Sequence, residues 1–275
     1  MANSIGLREH QLIMLDILKD FASFCDENGL SYYLDSGTLL GAVRHKGFIP
    51  WDNDVDVGML RPDFDKFVEL LKERNYMLND HIILEMPDTT IYPFLKLGDT
   101  RTKLIEFPDR FPIDCYVYID IFPKDGLVGN GKSTEKVCKK SHRYGLMHWF
   151  LKFSIPCWKA TEGFPKKQIA CVADFIFRDK NAGYRKQEKF IRKHIKKHPI
   201  ETCDYVTTLV NGEFYRICPK RCFDDFVMLE FEGYEFKAPI GYAEWLRVLY
   251  GDDYMTPPPK DKQEVHNIEA YWIDG

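Results

Sequence analysis

Met14, Ile17, Leu18, Phe21, Phe24 and Cys25 lie three, one, three, three and one residues apart. That spacing puts them on one face of a helix, and Asn28-Gly29 supplies its stop. Residues 30–35 are short and aromatic and read as a strand that delivers the chain into a tight turn at Ser36-Gly37, followed by a short helix over 38–45. Past Pro50, Val55 and Val57 alternate with Asp54 and Asp56, the period of a strand with one apolar and one acidic face. Pro62 suits the start of the next helix, whose buried stripe is Phe64, Phe67, Val68 and Leu71. Further strands are predicted at 81–85, 92–97 and 116–122, with 126–131 (GLVGNG) as the clearest linker. The chain then reads as helical to Pro199. Short strands follow near 206–210 and 231–236, then a helix over 242–250 and a proline-extended tail at 256–260. The pattern predicts an α+β fold, a mixed sheet flanked by helices with a helical insertion. Its segments are 1–130 as the core, 131–200 as the insertion and 201–275 as the part that completes the core.

The 275 residues are 45% hydrophobic and 29% charged, enough to bury roughly three quarters of the unfolded chain's surface and too apolar for disorder. The first twenty residues lack a secretory pattern, and the most apolar long stretch, 145–158, is interrupted by His148 and Lys152. It falls short of the ~20 residues that cross a bilayer. Eight cysteines scattered singly suit a reducing compartment. A cytoplasmic protein is expected.

Charge changes the picture, because it is unevenly spread. Residues 132–198 hold 18 Lys and Arg against 5 Asp and Glu, whereas the whole chain holds 38 against 42. A basic module sits in an acidic body. It reads either as a solvated helix face or as a surface for anionic lipid or a phosphate-rich polymer, with 145–158 lying in the membrane interface. No reader motif for nucleic acid accompanies the charge.

The sharpest local chemistry is Asp52-Asn53-Asp54-Val55-Asp56. As a Ca²⁺ loop it fails, since its glycine falls one position late and Pro62-Asp63 replaces the terminal Glu. Surface decoration is the bland alternative. The functional reading is a sparse carboxylate pair for Mg²⁺ or Mn²⁺, whose other sites go to water and substrate phosphate. Asp120, alone in the apolar run YVYIDIF, is the candidate third acid, as ligand or general base, or else it caps a turn with Lys124 or Asp125. Lys96, Asp99 and Thr102 either approach the same site or cap a turn. His194, His198, Cys203, Cys218 and Cys222 match no tight zinc spacing.

Residues 36–45 (SGTLLGAVRH) running into 47–56 (GFIPWDNDVD) resemble the signature of the LicD family of phosphocholine, or more broadly polyol-phosphate, transferases, related to fukutin. The resemblance extends to YIDIFP at 118–123 and to YGDDYM at 250–255 with Pro257-Pro258, and leaves out the basic insertion. It implies a nucleotidyltransferase-type catalytic core that binds a nucleotide diphosphate through Mg²⁺. Members similar to this chain take phosphocholine from CDP-choline and place it on a sugar hydroxyl of a teichoic acid or lipopolysaccharide precursor. Carried over, Asp54 and Asp56 become metal ligands and Asp120 the third acid. Gly37 and Thr38 hold phosphate, Arg44 pairs with it in a fork, and Arg44 or Lys46 holds the phosphate of departing CMP. Asn53 stands where family members often carry an unbroken acidic run. A choline cargo calls for an aromatic cage, and Trp51, Tyr116 and Tyr118 flank the site in sequence. The expectation is therefore a membrane-peripheral enzyme acting on a lipid-linked glycan. Its rivals are a nucleotidyl or other polyol-phosphate transferase on the same fold, and a non-catalytic binder of choline polymer or membrane.

Overall fold

The computed structural model describes residues 3–109, 111–160, 165–210, 216–263 and 267–273. After a two-residue edge strand β1 (Asn3–Ser4), helix α1 (Leu7–Glu27) carries the apolar face read from the sequence, with Met14, Ile17, Leu18, Phe21 and Cys25 all buried. Gly29, at φ +61°, takes the left-handed conformation that lets Leu30 N–H reach back to the Cys25 carbonyl at 2.8 Å. Strand β2 (Tyr33–Leu34) leads directly into α2 (Ser36–His45). The predicted tight turn at Ser36-Gly37 is thus the first turn of a helix, because Asp35 caps it by accepting from Ser36 N–H at 2.9 Å.

Strand β3 (Asp56–Leu60) and helix α3 (Arg61–Glu73) follow, with Pro62 at the helix start as predicted. Next come β4 (Ile82–Glu85), β5 (Leu95–Glu106) and β6 (Ile113–Leu127). The last two outrun their predicted lengths. Their antiparallel ladder continues through an irregularity between Asp99 and Leu104, where the Thr102 hydroxyl accepts from Val117 N–H (2.9 Å) and donates to the Asp99 carbonyl (2.7 Å). That explains Thr102, while Asp99 pairs with Arg101. Gly126 and Leu127, read as linker, complete β6.

The insertion is helical as expected: α4 (Lys132–Trp149), a wider turn at Phe150–Ser154, α5 (Ile155–Ala160), α6 (Lys166–Ile176) and α7 (Ala182–Lys197). The chain then forms β7 (Tyr205–Thr207) and β8 (Cys218–Pro219). A separate hairpin, β9 (Phe226–Phe231) with β10 (Tyr234–Pro239), turns at Glu232-Gly233, so the strand predicted at 231–236 spans its turn. Both turn residues have positive φ, the two-residue turn that matches strand twist. Helix α8 (Tyr242–Tyr250) falls as predicted, and β11 (Ile268–Trp272) pairs with β1 and β5, an edge the sequence reading missed.

The main sheet runs β1-β11-β5-β6-β3-β2, with β4 also on β5 and β7 on the far end of β6. Only β3 and β6 are parallel within this path, making the sheet mixed. Alternation gives β6 two faces. Val117, Ile119 and Ile121 join the large core with α1, Val57 and Leu97, while Tyr118, Asp120, Phe122 and Lys124 point the other way. There Phe94 and Phe122 meet Cys138 of α4 and Ile191 of α7 in a second cluster. The insertion is therefore packed over the sheet face that carries Asp120. Within the 145–158 stretch Leu151 and Ile155 are buried against Ala170 and Ala173 of α6, while Leu146 is exposed.

Candidate active site

Parallel pairing of β3 with β6 sets Asp56 directly opposite Asp120. Neighbouring strands lie about 4.8 Å apart, so the two carboxyl groups rise side by side from the face opposite Val57 and Ile119. On the next strand Lys96 is opposite Asp120 in turn, and its ammonium pairs with Asp120 Oδ1 at 2.8 Å. The pairing extends one step before β3, where Asp120 N–H donates to the Val55 carbonyl at 2.8 Å. Asp54 thus sits just ahead of the strand rather than within it. Helix α1 anchors this acidic segment: Gln11 Nε2 donates to the Asp52 carbonyl (2.9 Å) and His10 Nε2 lies 3.2 Å from the Asn53 carbonyl. Gly37 leaves room for these acids. A Cβ there would lie 2.8 Å from Asp52 Oδ2 and 3.9 Å from Asp54 Oδ1.

Three cavities meet at Asp54. One, of about 400 Å³, contains Lys96, Asp120, Glu106 and a group of aromatic rings. A second, about 300 Å³, is lined by Asp35, Asp56, Asp120, Lys124, Thr207, Thr208 and Arg216. The third, about 600 Å³, holds Gly37, Arg44, Trp51, Asp52, Asp56 and the tail around Tyr250, Tyr254 and Pro257. The distant segments that carried the resemblance therefore converge on one place.

Burial and like charge govern the electrostatics. Desolvation, then Asp54, Asp120, Asp35 and Asp52, push the Asp56 carboxyl well above the ordinary carboxylate range. Burial likewise pushes Asp120 up to about 6, with the Lys96 ammonium pulling against it and Asp54 and Glu106 adding to the rise. Beneath them, Asp35 pairs with Lys124 and accepts from Trp245 Nε1 at 2.6 Å. Gly58 makes room for that pair, since a Cβ would lie 2.8 Å from Lys124 Cε. Ser36, with φ +44° for a residue with a side chain, carries backbone strain where the second and third cavities adjoin.

Among the described residues no three His, Cys, Asp or Glu side chains converge into a ready-made metal site. The donor set suits a metal that the substrate completes: Mg²⁺ keeps several waters and takes one or two carboxylates plus substrate phosphate oxygens. Crowded carboxyls whose ionisation the fold resists are the chemistry such a cation would relieve.

The structure brings Asp54, Asp56, Asp120, Lys96, Gly37, Arg44 and Trp51 to cavity walls, and leaves out two expected residues. Thr38 is buried, its hydroxyl accepting from Asp56 N–H at 2.8 Å, so it aligns β3 instead of facing a ligand. Lys46 ends α2 in the left-handed conformation, and its carbonyl accepts from Glu232 N–H at 2.9 Å, outside the three cavities. Arg44 Nη1 donates to the Tyr254 carbonyl at 2.9 Å, tying α2 to the tail. The alternative in which Asp120 caps a turn with Lys124 fails, since Lys124 belongs to Asp35. Sequence reasoning missed Asp35, Lys124, Glu106, Thr207, Thr208 and Arg216. Lys124 was within reach, because Asp120, Phe122 and Lys124 share one face of a strand by simple alternation.

A mixed sheet that sets paired acids beside a helix N-terminus, at a junction of clefts, defines a nucleotidyltransferase-like domain. The family model for the LicD/FKTN/FKRP nucleotidyltransferase domain matches residues 29–142. The chain is 33% identical over 277 residues, 98% of each chain, to the lipopolysaccharide cholinephosphotransferase LicD of Haemophilus influenzae. It is 54% identical over 35 residues to the human ribitol 5-phosphate transferase FKRP, covering 13% of this chain and 7% of that one. Against mouse ribitol-5-phosphate transferase FKTN the identity is 23% over 215 residues, 78% of this chain and 40% of that one. The chain belongs to the LicD family and is an enzyme.

Proposed function

We propose that the enzyme transfers phosphocholine from CDP-choline to a sugar hydroxyl of a lipid-linked glycan, a teichoic acid or lipopolysaccharide precursor, and releases CMP. The register of Asp56 against Asp120, with Lys96 alongside and three clefts opening from that point, carries the reading. The likeness to a lipopolysaccharide cholinephosphotransferase over nearly the whole chain supports the cargo.

In the proposed reaction the acceptor hydroxyl attacks the phosphorus that bears choline, and the P–O bond to CMP breaks with its electron pair leaving on the CMP phosphate. The hydroxyl proton passes to the Asp120 carboxylate, which Lys96 holds in place. Arg44, Lys124 and Arg216 line the clefts where phosphate charge would lie. Mg²⁺ or Mn²⁺, held by Asp54 and Asp56, would supply charge stabilisation to the transferred phosphoryl oxygens. Because the acceptor is lipid-linked, the same reading puts the enzyme at the cytoplasmic face of an anionic membrane. No helix among the described residues is long and apolar enough to cross one. Nucleic acid has no part in it.

The test is CMP release from a panel of CDP-alcohols (choline, ethanolamine, ribitol, glycerol) with and without Mg²⁺. CDP-choline should be the preferred donor, with kcat/KM rising through about pH 6 as Asp120 ionises, and the double variant Asp54→Asn/Asp56→Asn should lose turnover. Preference for CDP-ribitol or CDP-glycerol would give the polyol-phosphate reading instead. Pyrophosphate release would mark a nucleotidyl transferase, and equal binding of choline polymer by wild type and double variant, with no turnover by either, would mark a binder.

A further inference from the structure

The 400 Å³ cavity reaches from Asp54 and Asp120 toward the insertion, and its size is that of a small-molecule site, about 300–1,000 Å³. Its far wall is aromatic. The Trp149 ring at the end of α4 lies 6.4 Å from Tyr92 and 6.5 Å from Phe107, and Tyr92 lies 5.2 Å from Phe94. Among these rings sits Glu106, 5% exposed, accepting from the Tyr92 hydroxyl at 2.8 Å and from the Tyr118 hydroxyl. Both donors are neutral phenols, held protonated by burial and by Glu106 itself.

Glu106 forms no ion pair among the described residues. The nearby cation is committed elsewhere: Lys96 pairs with Asp120, its ammonium 3.2 Å from the centre of the Tyr118 ring and 4.2 Å from that of Tyr92. A carboxylate buried without a counter-charge is costly, and the cost is relieved if a cation arrives from outside. The chemistry of the wall says which kind. Pro93, Leu104, Phe107, Trp149 and Ile268 make the wall around Glu106 mainly apolar, with His142, His148 and Asn267 also lining the cavity, so the N–H groups of a primary ammonium would be only partly paired there. A quaternary ammonium has none to strand, and gains from ring faces and from a carboxylate at short range.

We propose that this cavity seats the trimethylammonium group of the donor against Trp149, Phe107 and Tyr92, with Glu106 as its counter-charge and the donor phosphate at Asp54 and Asp120. The assignment rests on the phosphocholine reading above and adds the residues that select choline. Trp149 lies beyond the matched domain at 29–142, so the insertion contributes the lid of the headgroup site. Of the aromatics flanking the motifs in sequence, Trp51 lines a different cavity and Tyr116 packs against Gly98. Tyr118 belongs to this one.

The experiment uses wild-type enzyme, Glu106→Gln and Trp149→Ala, with CDP-choline and CDP-ethanolamine as donors and two competitive probes, tetramethylammonium and the neutral isostere 3,3-dimethylbutan-1-ol. The variants should raise KM for CDP-choline about 10–30-fold and erase its preference over CDP-ethanolamine. Trp149→Phe should restore most of the loss. On wild-type enzyme tetramethylammonium should compete and the neutral isostere should not, a comparison that stands if a variant fails to fold. Unchanged discrimination in the variants, or equal competition by both probes, would overturn the assignment while leaving choline transfer intact. Glu106-dependent tetramethylammonium binding in an enzyme that does not turn over CDP-choline would keep the subsite and refute the transfer reading.

Discussion

Asp56 shows at the level of a single residue what the site costs the fold. Its carboxyl is held well above the ordinary range by burial first and by neighbouring acids second, so the folded protein resists ionising it. A folded-state pKa raised above the unfolded value of about 3.9 contributes stability that is complete below that value and is lost as pH rises through the raised one. Asp56→Asn removes the liability. In divalent-free buffer the variant should melt above wild type near neutral pH, and the gap should close below about pH 4. CMP release should meanwhile fall to background. A thermal melt series from pH 4 to 8 checks the first part, and an Asn variant less stable throughout would show that Asp56 has a compensating partner instead.

At the scale of elements, the site depends on one seam, α2 against β3. Thr38 of α2 accepts the Asp56 N–H, and Asp35 at the helix cap takes the Ser36 N–H, Trp245 and Lys124 together. Thr38→Val keeps the shape but leaves a buried N–H unpaired, at about 1–3 kcal/mol. It should lower the melting temperature and kcat together, whereas Thr38→Ser should preserve both. A valine variant with wild-type turnover would show that the seam does not place Asp56. The same seam marks the limit of what the sequence disclosed. Helices α1, α3 and α8 and the strand character of β3, β4 and β6 were legible because each has a clean apolar period or a proline at its start. Asp54, Asp56 and Asp120 stand out in the sequence because charge in an apolar alternation is costly, and the fold sets all three on the walls of the clefts. Thr38 was misread, since a Gly-Thr pair after a strand looks the same whether its hydroxyl serves a ligand or a neighbouring backbone. Lys96, Asp120 and Glu106 meet only through the register of β5 on β6 and an irregular ladder, which no local pattern encodes. The β1–β11 edge joins residues at opposite ends of the chain and was invisible for the same reason.

At the scale of the molecule, one face has no cover among the described residues. The surface is 14,297 Å², against about 12,000 Å² for a monomer of this mass. Helix α6 turns Ala170 and Ala173 inward and leaves Ile169, Val172, Phe175 and Ile176 outward at 52–71% exposure. Lys166 and Lys167 open that helix, and the Arg178 guanidinium lies 5.4 Å from the centre of the Phe175 ring. We propose that this apolar face, lying in a segment with a basic excess, inserts shallowly into an anionic bilayer. Membrane contact was expected of the 145–158 stretch, whose Leu151 and Ile155 pack against α6. Wild-type protein should co-sediment with phosphatidylglycerol-containing vesicles, less so as salt rises, and poorly with pure phosphatidylcholine. Phe175→Asp/Ile176→Asp should weaken that binding about 100-fold or more, while CMP release with a water-soluble acceptor stays near wild type because α6 lines none of the three clefts. Undiminished sedimentation of the double variant, or equal binding to neutral vesicles, would assign the face to another partner.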